Sequence, residues 1–515
     1  MSVQQPVFRR EQGGLFFEGV RLARLLEAGL PTPFFIYSAE QLRADFRAYA
    51  DAVTGLDAVV GYAVKANHNP VLLRRLAGWG AGAIVVSANE LRLALDTGFL
   101  ASRMLLHGNG KRREDLDAAL AADTLISIDS EFDLENVVQR SEALGRTARV
   151  LLRVNPDIDA QVHPYISTGL LDSKFGLPAA SMDRIRPRLR GLPRIAVHGL
   201  HCHLGSTLKS VQPELDAARG MARLIAELRA DGHRIDILDI GGGLGIDYHR
   251  GDPASAPLPT PSELLAPLWP LVHELGLQLW LEPGRSLVGR CGALISRVIG
   301  HKRTASKRFL VVDASMAQLI RPCLYQAYHH IELLEPAAAA PAEDSAEPCD
   351  VVGPVCESAD FLARDRDLPT PAEGDGLLIR DAGAYGFTMA SQYNGRPVPT
   401  DINASLPFKQ ETKLDITLPL YNDAIFAARD AARAQRDLIA VGEQVSVAVG
   451  RRVCDGGGCT GGRGCTGGGA TMTMVRRIGW TPSPPTPAMS AMVSAQAPAA
   501  LTTTGARTMP LGVVT

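Results

Sequence analysis

AVVGYAVKAN, residues 58–67, is the stretch on which the fold turns. An apolar run from Ala58 to Val64 stops at Lys65, and a helical pattern follows over Asn69–Ala77. That unit recurs. Strand-like runs stand at Ala83–Val86, Met104–His107, Leu125–Ile128, Val150–Val154, Ala196–Cys202, Ile235–Ile240 and Leu277–Leu281. Helical patterns such as Ala88–Leu95 and Leu215–Ala230 fall between them. Strands alternating with helices mark βα units and a parallel sheet. About eight such units in about 230 residues fit one closed (β/α)8 TIM-like barrel, whose reactive groups must lie at the carboxyl ends of the strands.

After Gly289 the rhythm changes to strand-like runs without regular helices: Ala293–Ile299, Phe309–Asp313, Asp350–Gly353 and Leu377–Arg380. They predict a separate antiparallel β domain. Leu15–Phe17 and Phe34–Tyr37 are strand-like runs that fit either domain, and the Ala-, Pro- and acid-rich stretch Glu335–Glu347 reads as a loop. Leu418–Ala440 looks helical, whereas CDGGGCTGGRGCTGGG and the end beyond it hold too few periodic apolar positions for a core and are expected to be disordered. The expected layout is therefore an N-terminal segment over 1–37 that joins the β domain, a barrel over 38–287, a β-rich domain over 288–420 and an atypical tail over 421–515.

With 515 residues, 46% of them hydrophobic, the chain can build two or three cores. Lys plus Arg (53) nearly balances Asp plus Glu (55), so no basic field recommends nucleic acid or an anionic membrane, and a small molecule is the expected partner. No apolar run reaches the roughly 18 residues of a membrane span, and the start lacks a signal-like apolar core, so a cytoplasmic protein is expected. The eight cysteines form no disulfide framework, and Cys454, Cys459 and Cys465 lack zinc-ligand spacing and a neighbouring histidine, so no metal is expected.

Polar residues cluster just after the strand-like runs. Lys65 ends the first, His107 and Asn109 follow the third, Asp129 the fourth, and Arg153 with Asn155 the fifth. His201, His203 and Ser206 end the sixth, Gly241–Gly245 follows the seventh, and Glu282 with Arg285 follows the eighth. At a buried strand end an ammonium is costly and its pKa falls, which suits an amine that attacks an aldehyde, although a buried lysine paired with a carboxylate would look the same. The glycine turn can bring backbone N–H groups to a phosphate, or can be a tight corner; it lacks G-x-G-x-x-G spacing. Glu282 fits the partner of a pyridine nitrogen as well as it fits a salt bridge with Arg285. His201 and His203 admit a ring packed on a cofactor, a metal pair or core histidines. Jointly, one lysine, one phosphate turn and one carboxylate on one rim describe a pyridoxal phosphate (PLP) site best.

The same residues lie in blocks that resemble the fold-type III PLP-dependent decarboxylases, and within them the diaminopimelate decarboxylase family. The blocks run in order from about Thr32 to Pro397: YAVKAN, HGN-K, RVNPDIDAQVHPYISTG, KFG, GLHCHLGS, DIGGGLG, EPGRSLVG, LIRPCLYQAYH, VGPVCESAD and GAYG. The resemblance implies that Lys65 links covalently to PLP, His203 stacks on its ring and Glu282 pairs with its nitrogen. It implies that Ser206, Gly243 and the backbone at Gly284 hold the phosphate, with Tyr385 against cofactor and substrate. Arg285, Arg321 and Tyr325 would grip a distal substrate carboxylate. Cys356 and Glu357 would reach across a homodimer interface, Glu357 to the distal amino group and Cys356 as proton donor. The implied reaction is decarboxylation of meso-diaminopimelate to L-lysine; Glu357 favours it, since ornithine and arginine enzymes typically carry aspartate after that cysteine. A decarboxylase for ornithine, arginine or carboxynorspermidine, and a silent PLP-binding homologue, are the alternatives. The sequence departs from the family at Ala88-Asn89, Gly110, Thr207 and Ser315, and after Pro397, where PTDINASLPFKQET replaces the usual final strand.

Overall fold

Every expected barrel run becomes a strand, because each is short, apolar and closed at its end by a polar residue. The computed structural model describes residues 7–158, 173–249, 258–335 and 348–404; the expected helix Leu418–Ala440, the tail and nearly all of the stretch Glu335–Glu347 lie outside them. Three short strands, β1 (Phe8–Glu11), β2 (Gly14–Phe17) and β3 (Val20–Arg21), form a small antiparallel sheet, and β4 (Phe34–Ser38) follows. The barrel strands are β5 (Ala58–Ala63), β6 (Gly82–Val85), β7 (Met104–Leu106), β8 (Leu125–Ile128), β9 (Ala148–Arg153), β10 (Ile195–His201), β11 (Ile237–Asp239) and β12 (Gln278–Leu281). They pair in parallel, in chain order, and β12 closes on β5.

Closure fixes where each side chain points. Side chains alternate along a strand, so in a barrel every second residue faces the axis. Val59, Ile84, Leu105, Leu125, Leu151, Ile237 and Trp280 form a separate buried cluster that plugs the interior. Two residues further along, at the carboxyl end, stand Val86, His107, Ser127, Arg153, Asp239 and Glu282, and Ala63 stands four past Val59. An apolar floor thus carries a polar layer above it. The alternate residues, such as Val60, Tyr62, Leu106 and Leu152, pack outward against the helices in the main core.

The helices are set by their caps. Ser87 and Ser130 accept hydrogen bonds from Glu90 N and Asp133 N, and Asn69 accepts one from Val71 N ahead of Pro70. Asp133 also accepts from the buried Lys111 Nζ at 2.6 Å and from Asp129 N, which pins the loop after β7 to the helix that follows β8.

The second sheet contains β13 (Gly292–Arg303), β14 (Arg308–Val312), β15 (Ile331–Leu333), β16 (Pro348–Val352), β17 (Phe361–Asp367), β18 (Gly376–Ile379) and β19 (Thr400–Ala404). Its core path is β15-β18-β13-β14-β16-β17, and β4 joins at β13. The sheet is mainly antiparallel, as expected, with two parallel pairs. β14 pairs with β16, and β19 with β4, in parallel, because each pair is joined by a long crossover rather than a hairpin. β19 also shows that the unusual PTDINA segment supplies a strand through backbone pairing. No helix among the described residues is long and apolar enough to cross a membrane.

One buried acid makes stability depend on pH. Glu214, in the first turn of the helix Gln212–Ala230, is 3% exposed, and neither of its carboxylate oxygens meets a partner from another residue among the described residues. Burial pushes its carboxyl up to about 7. The folded state therefore prefers the proton: its contribution is intact below the ordinary value of 4.5 and is lost as pH rises through about 7. Glu214→Gln should raise the melting temperature at pH 8 by about 2–4 °C and leave it unchanged at pH 4. Calorimetry at the two pH values checks this, and an equal shift at both would rule it out.

Candidate active site

The amine comes first. β5 ends at Ala63, and Lys65 rides the tight turn Val64–Ala66 just beyond it. Tyr62 Oη donates to Asn67 O, Asn67 Nδ2 donates to Gly383 O, and Tyr385 N donates to Ala66 O, so this turn is tied to the loop carrying Tyr385. Lys65 was expected to be buried. Its side chain is instead exposed to a cavity of about 500 Å³, since the strand stops two residues before it. No hydrogen bond or ion pair holds its ammonium among the described residues.

Below the amine lies an acid layer. Glu282 Oε1 accepts from His107 Nε2 at 2.5 Å, and its other oxygen lies 3.7 Å from His201 Nε2, too far for a hydrogen bond. Burial alone would push the Glu282 carboxyl up, but His107 and His201 outweigh it and hold Glu282 well below the carboxylate range. Burial acts in the opposite sense on His107, whose pKa is lowered in spite of Glu282. His107 Nε2 is the donor of that bond. Burial, reinforced by Glu282, pushes Asp239 well above its ordinary value, while Asp239 Oδ1 accepts from Gly241 N. One charged and one neutral acid share the layer. Ligand atoms of His107, His201, Asp239 and Glu282 lie within 4.8 Å of one another, a spacing that suits a metal. Within it His107 and Glu282 bond to each other, while His201 Nε2 and Asp239 Oδ2 are buried without a hydrogen-bond partner among the described residues.

The anion cradle is built from backbone. Gly243 has φ +121°, and a Cβ there would stand 2.2 Å from Gly205 O, so no other residue fits. Leu208 N donates to Gly243 O, and Gly242 N donates to His203 Nδ1 at 3.3 Å. Burial, with Lys65 nearby, pushes His203 down to about 3. The ring is thus neutral with its proton on Nε2 and a face on the cavity. Ser206 Oγ accepts from Arg285 Nε and Nη2 at 3.1 Å each, which leaves its own O–H to donate.

Arg285 and Arg321 complete one side. Arg285 also donates to Tyr248 Oη at 2.9 Å and lies over the Tyr385 ring; Arg321 lies over the Tyr248 ring. Both are buried, at 7% and 4% exposure, and neither forms an ion pair with a carboxylate among the described residues.

Of the residues singled out from the sequence, Lys65, His203, Ser206, Gly243, Glu282, Gly284, Arg285, Tyr325 and Tyr385 line the one cavity. Arg321 stands behind it against Tyr248. Cys356 and Glu357 do not reach it: both are exposed on the loop after β16, where Cys356 N donates to Asn394 Oδ1 and Tyr393 Oη donates to Glu357 at 3.3 Å. The roles of Asp239, Tyr248 and His329 had no signal beyond position. Asp239 could have been found by counting two residues past Ile237, but the other two lie in irregular segments.

A free amine, a glycine cradle that a Cβ would fill and a charged carboxylate face one cavity, and PLP fits all three. The arrangement defines a barrel enzyme of the PLP-dependent class. A family model described as pyridoxal-dependent decarboxylase, pyridoxal binding domain, matches residues 39–289. A probable chloroplastic diaminopimelate decarboxylase of Oryza sativa is 49% identical over 75% of this chain and 78% of its own length. Diaminopimelate decarboxylase of Pseudomonas aeruginosa is 42% identical over 76% and 91%. Among solved structures, diaminopimelate decarboxylase of Helicobacter pylori complexed with L-lysine superposes with a TM-score of 0.69 at 34% identity, covering 74% of this chain and 94% of that one. The chain belongs to the diaminopimelate decarboxylase family.

Proposed function

We propose that this protein removes one α-carboxylate of meso-diaminopimelate to give L-lysine and CO2, the last step of lysine biosynthesis. The observation that carries the substrate is the pair of buried guanidiniums, Arg285 and Arg321, without a carboxylate partner among the described residues. Unpaired buried charge is costly, and a distal substrate carboxylate cancels it. L-Lysine, the molecule bound to the Helicobacter pylori relative, keeps such a group.

PLP, when bound, supplies an aldehyde that condenses with amines and a protonated ring that takes up the electron pair left as CO2 departs. Lys65 would hold the cofactor through its amine and would be the group that the substrate amine replaces. Glu282 keeps the ring nitrogen protonated, His203 lies against the ring, and the Ser206 hydroxyl with the backbone at Gly243 and Gly284 holds the phosphate. Tyr385 and Tyr325 close the side facing the substrate. Cys356 and Glu357 act across a homodimer interface, Cys356 returning a proton to Cα and Glu357 reading the distal ammonium. Their exposure and distance from their own cavity support that reading. The protein works in the cytoplasm on a small molecule, with no nucleic acid or membrane partner.

Product analysis tests the reaction. The PLP-loaded protein should form lysine from meso-diaminopimelate and leave ornithine and arginine unchanged; faster turnover of either of those would overturn the substrate.

A further inference from the structure

Arg285, which lines the cavity, and Arg321, which stands behind it, are held by different neighbours. Arg285 spends its donors on two hydroxyls, Ser206 and Tyr248. Arg321 Nη1 lies 2.8 Å from His329 Nε2, and its own Nε is buried without a hydrogen-bond partner. His329 is fully buried between the helix Arg321–Tyr325 and β15. Its Nδ1 lies 2.8 Å from Arg380 O. A carbonyl only accepts, so Nδ1 carries the hydrogen and Nε2 is a lone-pair acceptor for the guanidinium.

This tautomer has a consequence for charge. Buried arginines are ordinarily held by carboxylates, which fix them and cancel them together. A neutral imidazole fixes the guanidinium and leaves its charge whole. Protonation would turn Nε2 into a donor facing a donor and bring two cations together; burial and Arg321 hold the His329 pKa well below its ordinary value. Arg380, whose carbonyl sets the tautomer, spends its own guanidinium on Glu332 of β15, so that acid is taken up away from Arg321. Tyr248 lies edge-on to His329, at 5.5 Å between ring centroids, and under Arg321, so the groups packed on the guanidinium carry no negative charge, and the neighbouring Arg285 adds a second positive one.

We infer that His329 is a positioning residue that sets substrate specificity: it aims Arg321 while preserving an uncancelled positive charge for the substrate's distal carboxylate. The inference deepens the proposed function and rests on Arg321 being that carboxylate's partner. It makes selection a matter of charge balance: ligands that bring the carboxylate neutralise the pocket, and those without it leave a buried cation uncompensated.

The test compares His329→Gln, His329→Leu and His329→Glu in PLP-loaded protein, with cofactor absorbance confirming loading. Gln keeps a neutral acceptor, Leu removes it, and Glu supplies an internal anion of nearly the same size as Gln. With meso-diaminopimelate, Leu and Glu should raise KM about tenfold or more, with kcat within about threefold, while Gln stays near wild type. A second readout needs no turnover. Binding of L-lysine, which keeps the distal carboxylate, is compared with binding of 1,5-diaminopentane, which lacks it. The wild-type preference for lysine should fall about tenfold in the Glu variant and survive in the Gln variant. Wild-type KM and wild-type ligand preference in the Glu variant would overturn the inference, as would equal losses in Gln and Glu, which would mark a purely structural histidine. Should Leu fail to fold, the Gln and Glu pair decides alone. Failure of wild type to decarboxylate diaminopimelate would remove the proposed reaction, while the lysine and diaminopentane comparison would still judge His329.

Discussion

Lys65→Ala is expected to lower diaminopimelate decarboxylation by about 10⁴-fold or more and to remove the visible absorbance of protein-bound cofactor, without unfolding the barrel. The loss would be large because the proposed role gives one amine two duties, to hold the cofactor covalently and to be the group a substrate amine replaces. The fold survives because Lys65 supports nothing. Its side chain is exposed to the cavity and makes no hydrogen bond or ion pair among the described residues, while the turn beneath it is fastened by Tyr62, Asn67 and Tyr385. Absorbance, circular dichroism and a CO2 assay on the same preparation separate these effects. Retained absorbance together with full activity would mean that another lysine carries the cofactor. Borohydride reduction of wild type and peptide mapping would then identify it.

Much of this was readable from residue order. The eight barrel strands were visible because each is an apolar run closed by a polar residue and followed by a helical period. The site followed, since a barrel enzyme must place its chemistry at those ends. Counting by two from Leu105, Ile237 and Trp280 leads to His107, Asp239 and Glu282 as one inward layer. Where periodicity stops, so does legibility. β15 offers only Ile-Glu-Leu, and β17 (FLARDRD) turns from apolar to charged half-way along, so neither reads as a strand. β19 (TDINA) has a single strongly apolar residue and is held by pairing with β4. Tyr248 and His329 sit in irregular segments, and their importance comes from facing guanidiniums that approach from β12 and from the far domain. The exposure of Lys65 was misjudged because the apolar run was read as strand up to Val64, whereas the ladder ends at Ala63 and the turn lifts the lysine into the open.

Glu282→Gln should lower kcat by about 10²–10³-fold while changing KM less than about threefold, with the cofactor still bound. The substitution keeps the size and leaves an oxygen to accept from His107, so the hydrogen bond that now orients Glu282 survives. What is lost is the charge. A pyridine nitrogen facing a neutral amide is not obliged to stay protonated, and the electron pair released with CO2 then has a poorer acceptor; losing one preorganised electrostatic partner of a transition state costs about that much in rate. KM holds because Arg285 and Arg321 are untouched. The same layer also responds: Glu282 is second only to burial in pushing the Asp239 carboxyl up, so its neutralisation lets Asp239 ionise at lower pH than in wild type. Glu282→Asp, which keeps the charge on a shorter side chain, should fall between wild type and Gln. The decisive measurement is kcat at saturating diaminopimelate for all three. Equal rates in wild type and Gln would mean that the ring nitrogen finds its acidic partner elsewhere, and Asp239, two residues past Ile237 in the same inward layer, would be the first candidate.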